Sequence, residues 1–164
     1  MIQRILVALD SSGRAAAVFD AAAELAKRFD AVLHPVHVIS VPPEFPPAAR
    51  ESHVDPLPAH LAAVAVEGMR KIMGHASSDV RVDEPRTKTG QPWRMILEAA
   101  DELDVDLIVV GSHGYHGLDR ILGTTAGTVA NMARRNVLVV HDRKAILAAR
   151  DHDTALAAGD ARRR

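Results

Sequence analysis

The feature that most constrains this chain is a regular alternation. Short unbroken apolar runs take turns with stretches in which apolar residues recur every three or four positions. Ile5-Leu6-Val7-Ala8-Leu9 is the first run, and it ends at the turn cluster Asp10-Ser11-Ser12-Gly13. Ala15, Val18, Phe19, Ala22, Leu25, Ala26 and Phe29 follow at helical spacing, which predicts an amphipathic helix over 13–29. Ala31 to Ile39 predicts a second strand, with a bulge or an incompletely paired position at Pro35, which lacks an N–H. Residues 40–58 hold six of the nine prolines and are expected to form a loop.

A second helical stripe is predicted from Leu61, Val64, Ala65, Gly68, Met69 and Ile72, followed by a weaker third strand from Val80 to about Lys88. Gly90-Gln91-Pro92 punctuates, and Trp93, Ile96, Leu97 and Ala100 mark a helix that starts near the proline. Asp106 to Val110 is the strongest buried-strand signal. It leads into a glycine-rich segment, a helix with Ala126, Val129, Ala130 and Ala133 on one face, and a last strand, Asn136 to Val140. The order is βαβαβαβαβ, which argues for a parallel sheet with helices on both faces and right-handed crossovers. The expectation is one α/β domain over residues 1–141, with a flexible tail over 142–164.

Composition narrows the function. Lys and Arg number 20 against 21 Asp and Glu, a net charge of −1, which offers no basic field for nucleic acid. Aromatic residues are 3% of the chain, too few for a base-stacking platform. There is no cysteine, hence no disulfide framework and no thiolate chemistry. No apolar stretch approaches the roughly 18 residues of a membrane-spanning helix. The run Ile5 to Leu9 is too short for a signal peptide. A cytoplasmic protein without a membrane or nucleic-acid partner is expected.

In sheets of this kind ligands sit beyond the carboxyl ends of the strands, where the strand order reverses. The two most apolar strands, the first and fourth, are the natural central pair, so that Asp10 and Gly111 would open onto one crevice. The segment from Gly111 to Thr125 runs from a strand end into a helix start. Its glycines let backbone approach a ligand closely. Free N–H groups and the hydroxyls of Thr124 and Thr125 at the helix start suit phosphate oxygens. A ligand-free turn with a capped helix would use the same residues. The segment is not a Walker loop, since no Lys follows Gly123.

The segment resembles the nucleotide-binding universal stress proteins, whose pattern after the fourth strand is Gly-x2-Gly-x9-Gly-(Ser/Thr). Asp10 at the end of the first strand, His37-Val38 in the second, Gly90-x-Pro92, the stretch Asp106 to Gly114 and the closing Val137-Leu138-Val139-Val140 agree with it. The resemblance spans residues 1–141. One departure stands out: eight residues, not nine, separate Gly114 from Gly123. That contraction is compatible with unchanged binding, with a pocket shrunk toward AMP, or with loss of binding. The resemblance implies a five-stranded Rossmann-like sheet in the order 3-2-1-4-5, binding of ATP (with magnesium as its companion) or AMP, homodimerisation and a role in stress survival.

Carried over residue by residue, Asp10 would lie beside the adenosine, and the main chain of Val38 against the adenine. Gly111 and Gly114 would line the ribose and phosphate side, with Gly123, Thr124 and Thr125 donating to phosphates. On its own chemistry Asp10 serves equally as an N-cap of the first helix, and Val38 as plain core. Homodimerisation is expected through Val137 to Val140, because an apolar edge strand left open recruits another chain. The alternative is a dimeric interaction module of the same fold that binds no nucleotide.

The remaining constellations are weaker. His34 and His37 are three apart on a strand and so face opposite sides. His113 and His116 have no third ligand close in sequence, and no metal site is expected. Ser112 with His113 would be a nucleophile and base only if sequence neighbours faced each other, and no Gly-x-Ser-x-Gly elbow is present. Arg120 lies within the glycine segment and could offset phosphate charge. Arg134 and Arg135 are expected to complement the dipole at the end of the fourth helix. No catalytic residue is assigned, and the chain is read as a binding protein rather than an enzyme.

Overall fold

The computed structural model describes residues 1–40, 59–74, 79–112 and 124–141. Gly114, Arg120 and Gly123, the proline-rich stretch 41–58 and the tail 142–164 lie outside the described residues. The elements in chain order are β1 (Arg4–Leu9), α1 (Ala15–Phe29), β2 (Val32–Ile39), α2 (Ala59–Met73), β3 (Arg81–Val82), β4 (Arg86–Thr89), α3 (Pro92–Glu102), β5 (Leu107–Gly111), α4 (Thr124–Met132) and β6 (Asn136–Val140). All pairings are parallel, and the order is β3-β2-β1-β5-β6, with β4 also pairing with β2.

The sheet has six strands, not five, because the expected third strand is cut in two. β3 pairs with Val32 and Leu33, and β4 begins only opposite Val36. The carbonyls of Leu33 and Ile39 point to this outer side, where they accept the N–H groups of Asp83 and Gly90. The alternation of a strand therefore turns the absent N–H of Pro35 outward as well. The outer partner breaks where β2 has no donor to offer it. With the two pieces counted as one interrupted edge strand, the expected order 3-2-1-4-5 holds.

Strand alternation divides the core. Ile5, Val7, Leu9, Leu33, Leu107 and Val109 pack against α1 and α2; Leu6, Val36, Ile108 and Val110 pack against α3 and α4. Ile5, Leu6, Val7, Ile108 and Val109 have no exposed surface, as expected of central parallel strands covered on both faces. The α2 stripe differs from the expected one. Val64 and Gly68 are exposed, and Val66, Met69, Ile72 and Met73 carry the contact with the core. α3 starts at Pro92 in its first turn, a position that needs no N–H.

Polar clamps fix the amino edge of the sheet. Asp106 Oδ2 accepts the backbone N–H groups of Gln3 (2.7 Å) and Arg4 (3.0 Å), and these bonds hold its carboxyl below the usual range. Arg135 does not complete the dipole of α4, which has no basic residue in its last turn. Its guanidinium instead donates to Asp104 Oδ1 (3.0 Å) and the Val105 carbonyl (3.1 Å), and lies 3.6 Å from Asp101. It ties the end of β6's lead-in to the turn after α3.

Candidate functional site at the carboxyl edge

The register of the sheet defines the site. Leu9 lies level with His37, Ala8 with Val110, and Gly111 with Val140. One residue further on, Val38, Asp10, Ser112 and His141 fall into one row along the carboxyl edge. Here the chain leaves β1 for α1 on one face and leaves β5 toward α4 on the other. Such a reversal opens a crevice because the two connections diverge.

Asp10 organises the turn from β1 to α1. Its Oδ1 accepts the N–H (3.0 Å) and the hydroxyl (2.7 Å) of Ser12, and Ser12 Oγ accepts the N–H of Arg14 (3.3 Å). Asp10 thus braces the turn and does not itself cap the helix. The N-cap of α1 is Arg14, without a side-chain cap hydrogen bond. Between this turn and the ends of β5 and β6 lies a shallow, open crevice. It is lined by Asp10, Ser12 and Arg14 on one wall and by Gly111, Ser112 and Val140 on the other, with α1 residues Ala15 and Val18 below.

The crevice brings together Asp10 and Gly111 of the expected site residues. Val38 is half-buried and packs against the α3–α4 side of the core. Thr124 and Thr125 open α4; Thr124 is exposed and its carbonyl accepts the hydroxyl of Thr128 at 2.7 Å. None of these three lines the crevice. Gly114 and Gly123 fall outside the described residues.

Two features are not legible in the sequence. Ser112 pairs with His141, Oγ to Nδ1 at 2.9 Å, while its N–H is held by the Val140 carbonyl at 2.8 Å; His113 lies outside the described residues. The partners are 29 residues apart, so only the strand register brings them together. When Nδ1–H donates to Oγ, the Ser112 hydroxyl proton is left for a ligand; in the other tautomer it is spent on the imidazole. Arg14 is the second feature, since its position in the sequence suggests only a helix start. Among the described residues no three His, Asp or Glu side chains are grouped so as to hold a metal ion.

A family profile described as the universal stress protein family matches residues 1–141. The chain belongs to the universal stress protein family. Over 141 residues this universal stress protein is 38% identical to universal stress protein A homolog 1 of Coxiella burnetii, covering 84% of this chain and 95% of that one. Its fold matches a universal stress protein UspA from Lactobacillus plantarum with a TM-score of 0.68 at 30% identity, covering 85% of this chain and 97% of that one. A universal stress protein from Archaeoglobus fulgidus in complex with dAMP matches with a TM-score of 0.52 at 27% identity, covering 85% and 98%. The parallel α/β fold inferred from the alternation of elements, and made Rossmann-like by the resemblance, is the fold of these relatives. No helix among the described residues is long and apolar enough to cross a membrane.

Proposed function

We propose that this universal stress protein is a cytoplasmic stress-response regulator that binds an adenine nucleotide, ATP or AMP, at the carboxyl edge of its sheet. The observation that carries the reading is the open crevice at the strand-order reversal, which both Asp10 and Gly111 line. A relative of the same fold is a dAMP complex, which supports an adenine nucleotide as the ligand class. Val38 would offer main chain to the adenine. Gly114, Gly123, Thr124 and Thr125 would carry the phosphates, with magnesium entering as the counter-ion of ATP. The protein would work as a homodimer joined through Val137 to Val140, by binding rather than by turnover.

Calorimetric titration with ATP, ADP and AMP tests the proposal. Saturable heat and a raised melting temperature are expected with at least one of them. Gly114→Leu should abolish both, because a side chain there keeps backbone away from phosphate. Absence of heat and of thermal shift at millimolar ligand would overturn it.

A further inference from the structure

His34 lies where the outer strand of the sheet is cut. β3 pairs with Val32 and Leu33, β4 resumes opposite Val36, and residues 83–85 connect the two pieces. The His34 side chain is only 10% exposed, and neither ring nitrogen has a well-aligned hydrogen bond among the described residues. Such a ring resists a proton, because the charge would be parted from water. Asp83 Oδ2 stands 2.9 Å from Nδ1, but that carboxylate is itself 48% exposed and belongs to the connection.

The charges facing the ring come from three elements. Arg4 on β1 and Arg86 on β4 oppose protonation, and Asp83 favours it. On α3, Glu98 and Glu102 are held by Lys88, and Asp101 lies 3.6 Å from Arg135. His37, the other histidine of β2, takes the opposite face, with Nδ1 at the Leu9 carbonyl. Imidazole is the side chain whose charge ordinarily changes between pH 5 and 8.

The cover over His34 is lightly held. β3 is two residues long, and one further bond, from the Asp83 N–H to the Leu33 carbonyl at 2.9 Å, continues its pairing. The ion pairs Lys27–Asp79, Arg81–Asp30 and Arg70–Glu84 fasten this segment, but all their side chains are more than half exposed and each pair is worth little. β4 is held better, by four paired residues and by the clamp of Lys88 on Glu98 and Glu102. Local opening is drawn from the least buried elements.

We propose that the outer edge of the sheet carries an acid-released flap: protonation of His34 lifts β3 and residues 83–85 off β2, while β4 and the central strands stay paired. The ring takes its proton on opening, so the open form gains as pH falls through about 6.5. Release bares the outer edge of β2 at Val32 and Leu33, and an open strand edge can pair with another chain. The flap lies on the amino half of β2, away from the carboxyl-edge crevice, and does not rest on the nucleotide reading.

Amide hydrogen exchange of the unliganded protein at pH 7.5 and 5.5, expressed as protection relative to the unstructured chain, tests the flap. Protection of the Asp83 amide should fall about three- to ten-fold at the lower pH, one unit below the ordinary imidazole pKa. The Gly90 amide, bonded to the Ile39 carbonyl beyond β4, should keep its protection. His34→Gln, neutral at both pH values, should abolish the fall at residue 83. Asp83→Asn removes the carboxylate that favours the proton, so its fall should be at least as large as in wild type. Unchanged protection in wild type would overturn the proposal, and so would equal falls at Asp83 and Gly90, which mean general loosening. A fall that persists in His34→Gln would assign the effect to another group. A smaller fall in Asp83→Asn would overturn the proposal whether or not His34→Gln folds.

Discussion

His34 and His37 are neighbours on β2, yet alternation sends them into different surroundings. The His37 ring places Nδ1 2.9 Å from the Leu9 carbonyl, close to the crevice. His34 is buried at 8% exposure on the α3 side, with neither ring nitrogen in a well-aligned hydrogen bond among the described residues. Burial pushes its pKa below the usual value, helped by the charges of Arg4 and Arg86; Asp83, whose Oδ2 lies 2.9 Å from Nδ1, pulls the other way and only partly offsets it. The folded protein therefore prefers neutral His34, while the unfolded chain takes up a proton near pH 6.5. This contribution to stability is complete above that pH and is lost as pH falls below it. The melting temperature of wild type should drop between pH 7 and pH 5 more steeply than that of His34→Gln. Parallel profiles for the two proteins would show that His34 does not drive the acid sensitivity. At this scale simple period-2 counting is enough to put the two histidines on opposite faces. Counting cannot show that Asp83 arrives beside one of them, since that depends on where the outer strand breaks.

Elements show how single residues set boundaries. Pro35 withholds one N–H, and the strand that would use it becomes β3 and β4, separated by Asp83 to Pro85. Gly90 ends β4's excursion by donating its N–H to the Ile39 carbonyl at 3.0 Å with φ at +143°, in the region that other residues avoid. A Cβ at Gly90 would stand 3.2 Å from Met95 Cγ, a flexible side chain that can yield, so the backbone angle dominates the cost. Gly90→Ala should destabilise the fold by about 1–3 kcal/mol, the typical cost of such backbone strain. Gly68 is the informative control. It lies inside α2, exposed, with open space where a methyl group would stand, so Gly68→Ala should stabilise by about 1 kcal/mol through helix propensity. Chemical denaturation of both variants would check the opposite signs. The helices α1, α3 and α4 are readable from the spacing of their apolar positions. The α2 stripe is not, because Val64 and Val66 both fit a helical pattern, and only contact with Met69 and the core selects between them.

At the scale of the whole molecule, β6 is the outermost strand on its side of the sheet among the described residues. Val137 and Val139 pack toward α4, and Val140 toward α1, while Leu138 remains 37% exposed. An apolar edge strand of this kind recruits a second chain, and a two-fold pairing of β6 with its counterpart would cover Leu138 in both copies. Sedimentation at micromolar concentration should show a dimer. Leu138→Glu should shift it to monomer while the circular dichroism of the fold is retained, because the side chain is already partly in solvent. A wild-type monomer would overturn the proposed assembly.

The alternation of apolar runs and helical stripes determined the fold class, because a strand buried on both faces must be continuously apolar and a crossover helix must be amphipathic. Those are local requirements, written residue by residue. Asp10 and Gly111 are legible as strand ends for the same reason, but that their strands are neighbours is an inference from topology, and the pairing of β1 with β5 bears it out. What only the tertiary structure decided depends on register. It set Ser112 against His141 across 29 residues, carried Arg135 away from its helix end to Asp104, and turned Arg14 from a helix-start residue into one wall of a crevice. Periodicity specifies which face a side chain takes, but the pairing of distant strands specifies what it meets there.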